Sequence, residues 1–446
     1  MRILGVDIGT TGLKMGVFDY AQDDVVLIKQ HSEFYAINTY NNGLYGDIDP
    51  NKWLQAFHNG CEALKEDIVN VDVISLSGTT PGLTAMDENG IALSPAILML
   101  DQRSRRQAQY IIDKVGVDYL LENSGNMPVA GGCSLASILW IKEKLPDVYE
   151  KTFKFGHSNT FIGCWLTGSF AMDPSSASLS ALYNTAKNDL TWNAEIADSC
   201  DFSLEKMPDL LHASDNIGTV KQELCAQLGF AQAPDVLIGG NDAVLAAYSA
   251  GIRKPGETIN VNGTCEISLV CLPKCIPSKN YNVRAHVLPN RWLTLHVVNA
   301  GGKAYEWFKN VFCNDMTDDE FYAKFIEQAL ERWLEKETRL KFLPYLMGSR
   351  YSQDSLKAKF DNLTIETTRE ELLAALTKGL CENQRLHLQE IDQLISIRSP
   401  IKVTGGAVND AILRAKKKWY WNTDYLPVDQ SSLRGAALLA LTLNES

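Results

Sequence analysis

The sequence predicts an α/β fold, and three observations carry that expectation. Segments of strand character alternate with amphipathic helical segments over the whole chain, the pattern of sheets covered by helices. A strand–turn–strand device built on Gly and Thr occurs twice, around Gly9-Thr10-Thr11-Gly12 and around Gly263-Thr264. A third glycine pair, Gly405-Gly406, follows a short apolar strand and opens a helix. At 446 residues the chain exceeds what one core usually serves, so two or three domains are expected. The charged turn Gly251-Ile252-Arg253-Lys254-Pro255-Gly256-Glu257 directly precedes the second device, which places a boundary near residue 250 and domains at 1–250 and 251–446.

The stretch from Ile3 to Asp19 organises the rest. Apolar residues run up to Asp7, the Gly-Thr-Thr-Gly bend follows, and Leu13, Met15 and Val17 then alternate with Lys14 and Gly16. That pattern reads as two strands joined by a tight turn. The glycines let backbone N–H groups approach an anion, the hydroxyls of Thr10 and Thr11 add donors, and Lys14 supplies positive charge. Asp7 would repel a phosphate held there unless a divalent cation or its waters stood between them. The loop therefore points to a magnesium–nucleotide site. Taken alone it reads equally well as a glycine turn with an incidental aspartate; the repeat at Ile259–Val270 shifts the balance.

Along the first half, Val25–Gln30 is a predicted strand. Asp49 as N-cap and Pro50 at the first helical position start a helix running to about Asp67. Val71–Ser77 is a buried strand ending in Gly78-Thr79-Thr80-Pro81-Gly82. Leu83–Met86 and Ile91–Leu93 form a hairpin, and Pro95–Leu100 is a strand that delivers Asp101-Gln102-Arg103. Helices are expected at Ser104–Lys114 and near Leu135–Lys144, the second closed by Pro146. Asp173-Pro174-Ser175-Ser176, rich in small polar residues, reads as a plain surface loop ahead of a cleft-facing one. Val236–Ile238 runs into Gly239-Gly240, and Asp242 then opens an alanine-rich helix. An aspartate there is commonly only an N-cap; the other reading is a carboxylate held at a cleft to accept a proton.

In the second half, Leu293–Asn299 leads into Ala300-Gly301-Gly302 and a helix from Ala304 to Phe312. An acidic helical segment, Thr317–Leu334, and Lys341–Leu346 precede Thr367–Gln389, a long helix with Leu372, Leu373, Leu376 and Leu380 on one stripe. A strand at Ile401–Thr404, the glycine pair, a helix at Asp410–Lys418, a strand at Tyr425–Val428 and a helix at Leu433–Leu443 close the chain.

A formal net charge of −12 argues against nucleic acid or an anionic membrane as the main partner. No run of about 18 apolar residues is present to span a bilayer. Met1-Arg2 enters a strand without a signal-peptide pattern, so a cytoplasmic location is expected. The ten cysteines are scattered, and the closest pair, Cys271 and Cys275, has no matching Cys or His pair downstream. They read as buried thiols. Neither a GxxxxGK[ST] loop nor a GxGxxG fingerprint occurs, which disfavours two common nucleotide folds.

Six motifs in this order resemble the FGGY carbohydrate kinase family, whose members include xylulose, gluconate and fuculose kinases. They are Asp7-Ile8-Gly9-Thr10-Thr11-Gly12-Leu13-Lys14, Leu100-Asp101-Gln102-Arg103, Gly239-Gly240-Asn241-Asp242, Asn262-Gly263-Thr264, Gly405-Gly406-Ala407-Val408-Asn409 and Arg434-Gly435-Ala436-Ala437. The likeness extends through Phe342–Arg350 and the helix after Thr368-Arg369. It implies two ribonuclease-H-like, actin-like ATPase domains facing a central cleft, with sugar binding in the first and nucleotide binding in the second. It further implies ATP-dependent phosphorylation of a sugar, sugar acid or polyol, with ATP and Mg2+ as cofactors. By the same resemblance Asp7 matches the metal-ordering aspartate, and Thr10, Thr11 and Lys14 the first phosphate loop. Gly263 and Thr264 match the second phosphate loop, Gly301, Gly405, Gly406 and Asn409 border the nucleotide, and Asp242 is the catalytic base. Thr80, Asp101, Asn241 and Asp242 are the candidates for the sugar.

The sugar side departs from xylulose kinases. Their Gln-Met-His-Gly loop corresponds to Gly78-Thr79-Thr80-Pro81-Gly82, which lacks the histidine; Met99 stands where a tryptophan is usual; and Ala136-Ser137-Ile138-Leu139-Trp140 lacks the lysine of Pro-Lys-Leu-Leu-Trp. Asp101 can accept hydrogen bonds from paired sugar hydroxyls or form a salt bridge with Arg103 or Arg105, and both readings stand. The expected acceptor is a small ketose, most simply a ketopentose such as xylulose or ribulose. Gluconate or another aldonate, polyol or deoxyketose is the alternative within the family, and an inactive sugar or nucleotide sensor is the alternative outside it. A sensor has no need of a base, which weighs against it. The partners are the small sugar and ATP, without nucleic acid or membrane, with a homodimer open.

Overall fold

The computed structural model describes residues 1–41, 43–351, 356–406 and 409–444. Its frame is a pair of six-stranded sheets built on one plan. The first contains β1 (Arg2–Ile8), β2 (Gly12–Ala21), β3 (Asp24–Phe34), β4 (Val73–Gly78), β5 (Asn216–Thr219) and β6 (Asp235–Asn241), in the order β5-β6-β4-β1-β2-β3. β1 runs antiparallel to β2 and parallel to β4, and β6 is parallel to β4. Ile3 to Ile8 and all of β4 are buried. That explains their near-continuous apolar sequence, since parallel central strands are covered on both faces.

Helices α1 (Asn51–Ala63), α2 (Ser158–Thr167) and α3 (Asp242–Ser249) flank this sheet. Phe161, Ile162 and Leu166 of α2 pack with Leu76 and Ile238. α1 starts one residue later than the sequence predicts and stops at Ala63. Pro50 takes the cap position in helical geometry, and Asp49 Oδ1 accepts from Asn51 N at 3.0 Å. Among the described residues Ile91–Leu93 forms no strand and meets the preceding one at an isolated bridge between Met86 and Ala92.

The second sheet contains β7 (Thr258–Asn262), β8 (Glu266–Leu272), β9 (Asn282–Ala285), β10 (Trp292–Val298), β11 (Ile401–Thr404) and β12 (Tyr425–Pro427), ordered β9-β10-β8-β7-β11-β12. β7 is antiparallel to β8 and parallel to β11, the relation β1 has to β2 and β4. The two Gly-Thr hairpins therefore occupy equivalent places in the two sheets. Helices α4 (Gly302–Phe312), α5 (Arg369–Asp392) and α6 (Asp410–Trp419) share one apolar core with this sheet. Leu373, Leu376 and Leu380 of the expected stripe are buried in it.

The last helix, α7 (Ser432–Leu439), returns to the first sheet. Leu433, Ala436 and Ala437 pack with Ile3 and Phe18, and Arg434 pairs with Asp24. A division at residue 250 groups α7 with the second half by sequence, whereas its packing is with the first.

Candidate active site

The carboxyl ends of three parallel strands deliver the chemistry of the first sheet. Asp7, near the end of β1, lies opposite Lys14 and Ser77 in the register. Ser77 Oγ donates to Asp7 Oδ1 at 2.8 Å. Burial holds the Asp7 carboxyl above the usual range, against the pull of Ser432, Ser77 and Lys14. In the turn, the Thr10 hydroxyl lies 3.2 Å from that of Thr79, and Tyr35 Oη donates to Gly9 O at 2.6 Å. Thr11 and Lys14 are exposed.

The strand that carries Asp242 is irregular. Its pairing shifts register between Leu237 and Gly240, and Gly239 has φ +67°, the left-handed region a bulge glycine occupies. The strand therefore turns into α3 with Asn241 as N-cap, Oδ1 accepting from Val244 N at 3.2 Å. Capping falls to Asn241, so Asp242 is not the cap that its position permits. Asp242 Oδ1 accepts from Ala243 N at 2.7 Å and Asn241 Nδ2 at 2.9 Å. Oδ2 has no hydrogen-bond partner among the described residues. Burial first and the Asp7 charge second push the Asp242 pKa up to about 6, with Arg284 opposing.

Thr80 and Asn241 stand beside it, both buried. Thr80 Oγ1 accepts from Asn241 Nδ2 at 2.6 Å and from Arg284 Nη1 at 3.4 Å. Asn241 N–H donates to Ser175 Oγ at 2.9 Å, and that hydroxyl donates to Asp173. The segment expected as a surface loop, Asp173–Ser176, is instead entirely buried. Asp173 caps a short helix, Pro174–Ala177, and anchors Asn241 through Ser175. Gly240 permits this approach, since a Cβ there would lie 3.0 Å from Ser175 Oγ.

Asp101 is fully buried, and of its two readings the structure shows the ion pair. Its oxygens accept from Gly46 N at 2.6 Å, Arg103 N at 2.8 Å and Arg103 Nε at 2.8 Å. Arg103 also pairs with Asp47 at 2.8 Å and lies over the rings of Tyr45 and Trp140. Among the described residues no hydrogen bond joins Asp101 to the Thr80–Asn241–Asp242 group.

The second sheet gathers the glycines. Gly301 N donates to Thr264 O at 3.0 Å and Gly302 N to Gly263 O at 2.8 Å, seating the turn on the start of α4. Gly405 has φ +108°, and a Cβ there would lie 2.2 Å from Asn262 O. Among the described residues nothing lies within 4 Å of a Cβ added at Gly406. Asn409 caps α6, accepting from Ile412 N at 2.9 Å; Ala407 and Val408 of that motif lie outside the described residues. A pocket beside these turns is lined by Asn262, Glu266, Gly301, Gly302, Tyr305 and Lys416. The Glu266–Lys416 ion pair is buried in it. Arg350 spans from this side to the first, with Nε donating to Asn299 Oδ1 at 2.7 Å and Nη1 lying 3.8 Å from Met99 Sδ.

Sequence reasoning missed Ser77, Asp173, Ser175 and Arg284. The signal for Arg284 was a lone cation inside the strand Asn282-Val283-Arg284-Ala285, where charged residues are rarely buried unless paired. No group of three or more His, Cys, Asp or Glu that could hold a metal occurs among the described residues. A magnesium ion needs only one or two carboxylates plus water and phosphate oxygens. Asp7 suits that demand, because it is a buried carboxylate whose charge is felt at Asp242.

A model of the FGGY family of carbohydrate kinases, N-terminal domain, matches residues 2–249. The xylulose kinase of Lactococcus lactis subsp. lactis (strain IL1403) is 26% identical over 449 residues, covering 98% of this chain and 87% of that protein. The xylulose kinase of Bacillus subtilis (strain 168) is 26% identical over 464 residues, covering 98% and 87%. Among solved structures, xylulose kinase from Rhodospirillum rubrum superposes with a TM-score of 0.90 at 20% identity, covering 100% of this chain and 90% of that one. Gluconate kinase from Lactobacillus acidophilus gives 0.87 at 22% identity, with 100% and 90% covered. The structural likeness shows the fold of two actin-like ATPase domains. Among the described residues no helix is long and apolar enough to cross a membrane. With the matching family model, the near full-length relatives and the doubled hairpin, the chain belongs to the FGGY family of carbohydrate kinases and is an ATP-dependent sugar kinase.

Proposed function

We propose that this kinase moves the γ-phosphate of ATP to a terminal hydroxyl of a small ketose or a related sugar acid, with Asp242 as general base. The observation that carries this reading is the unpartnered Asp242 Oδ2 on a carboxylate whose pKa is raised to about 6, close to the range in which a base works at neutral pH. Thr80 and Asn241 border the acceptor. Thr10, Thr11 and Lys14 on one side and Gly263 and Thr264 on the other hold the phosphates, while Gly301, Gly405, Gly406 and Asn409 border the nucleotide. Asp101 acts through Arg103 as a strut of the pocket wall. Magnesium, held through Asp7, neutralises phosphate charge when bound. Closure of the two halves about a hinge near residue 250 excludes water that would compete for Asp242. Xylulose and gluconate, named for relatives, supply the two acceptor classes, and the reaction belongs in the cytoplasm, where ATP is made available.

The first test is ADP release with magnesium and ATP over a panel of ketopentoses, deoxy sugars, tetritols and aldonates. Turnover on none of them, with ATP still bound, would favour a sensor. For the best acceptor, kcat/KM should fall as pH drops through about 6, because the protonated form of Asp242 cannot accept the hydroxyl proton. A flat profile from pH 5 to 8 would remove Asp242 from that role. Asp7→Ala should raise the magnesium concentration for half-maximal rate by at least about tenfold, the size seen even for groups behind a metal's own ligands. An unchanged magnesium titration would refute the metal assignment.

A further inference from the structure

Arg284 is 3% exposed, yet its guanidinium is almost unpaired. Among the described residues its one hydrogen bond is the 3.4 Å contact from Nη1 to Thr80. Among the same residues the buried Nε has no hydrogen-bond partner, and Nη2 makes no hydrogen bond. Nε and Nη2 form the edge whose parallel N–H groups a carboxylate takes in bidentate fashion. Other arginines of the chain meet acids: Arg103 pairs with Asp101 and Asp47, Arg2 with Asp19, and Arg434 with Asp24. A buried cation left without such a partner is costly, so the missing partner is the informative feature.

The arginine is held in place. Its strand neighbours are tied to the first half of the chain, Val283 by Asn126 in both directions at 2.7 and 2.8 Å and Ala285 N by Ser178 Oγ at 3.0 Å. Asp173 and Asp242 lie within its field, but neither hydrogen-bonds it, and the oxygens of Asp173 are taken by Ser175 and Ser176. Arg350 adds a second positive charge to the same field, and its hydrogen-bond partners among the described residues are Asn299 and the sulfurs of Met99 and Cys265, none of them acidic. Two more buried atoms nearby, His157 Nδ1 and Ser176 Oγ, have no hydrogen-bond partner among the described residues. Burial holds His157 neutral, with the Arg284 charge adding to the effect.

We propose that Arg284 makes the acceptor pocket selective for a substrate bearing a carboxylate, an aldonate or kindred sugar acid, over its neutral counterpart. This rests on the kinase reading with Asp242 as base, and narrows it. The substrate carboxylate takes the Nε/Nη2 edge of Arg284, and the reacting hydroxyl faces Asp242 Oδ2.

The test compares gluconate, xylonate and ribonate with xylulose, ribulose and xylitol, by ADP release and by calorimetric binding, for the wild type, Arg284→Met and Arg284→Lys. The wild type should bind and phosphorylate an acid in preference. In Arg284→Met the ratio of kcat/KM for acid over neutral compound should fall on the order of 100-fold, through KM, as expected for loss of one partner of a buried charge pair. Arg284→Lys should recover part of it. Melting temperature and ADP binding of each variant report folding, and if Arg284→Met does not fold, the wild-type preference together with Arg284→Lys decides. Turnover confined to neutral compounds, or an unchanged ratio in the variants, would overturn the role of Arg284 and leave the kinase reading standing. Binding of acids that is lost in Arg284→Met, without turnover of any compound, would support the pocket and count against Asp242 as base. A wild type that neither binds nor phosphorylates any acid overturns the proposal.

Discussion

Asp242→Asn is expected to slow phosphoryl transfer by roughly 10³-fold, within the 10²–10⁴ that a positioned general base contributes. The substitution is nearly isosteric, and its Oδ1 can still accept from Ala243 N and Asn241 Nδ2, the two hydrogen bonds that fix the carboxylate. What is lost is the ability of the second oxygen to take a proton. Because Asp242 opens α3 after the first sheet, whereas the glycines around Gly263 and Gly405 belong to turns of the second, ADP binding measured by calorimetry should stay within about twofold. Turnover within tenfold of the wild type would mean that the hydroxyl loses its proton elsewhere, and the assignment would fail.

Gly239→Ala should do comparable damage by a different route. The glycine has φ +67°, where a Cβ residue costs ~1–2 kcal/mol, and the added methyl would lie 1.5 Å from Leu76 O. Leu76 belongs to β4, so either β6 leaves its neighbour or the bulge is lost and Asp242 swings off the cleft. A melting temperature lower by roughly 10 °C or more, with activity reduced even in the folded fraction, is the expected outcome. Asn tolerates the left-handed region but carries the same Cβ, so Gly239→Asn should be no better than Gly239→Ala. Recovery by Asn would show that backbone strain, and not the close approach to Leu76, sets the requirement for glycine.

Much of the frame was legible because the signals were local. Apolar runs ending in Gly-Thr turns announced β1 to β2 and β7 to β8, and the leucine stripe announced α5. Caps moved by one residue where a neighbour took the place: Asn241 displaced Asp242, and Pro50 displaced Asp49. The Asp173 segment was misread because small polar residues look like a surface loop until another element covers them. Its Asp-Pro-Ser-Ser order is also a helix start, and burial beneath Asn241 is a tertiary fact. Asp101 shows the same limit, since only the fold brings Asp47 and Tyr45 to Arg103.

By itself the sequence determined the α/β class, the repeated phosphate-type turn and the residues that carry charge at strand ends, because each of these follows from spacing and side-chain type within a few residues. Only the tertiary structure decided which of those charges meet. It brought Asp242 within the field of Asp7, engaged Asp101 with Arg103, and brought Arg284 from the second sheet to Thr80, 204 positions away in the chain. The physical reason is that the energy of a charge depends on what has displaced the water around it, and that is settled by packing between distant segments.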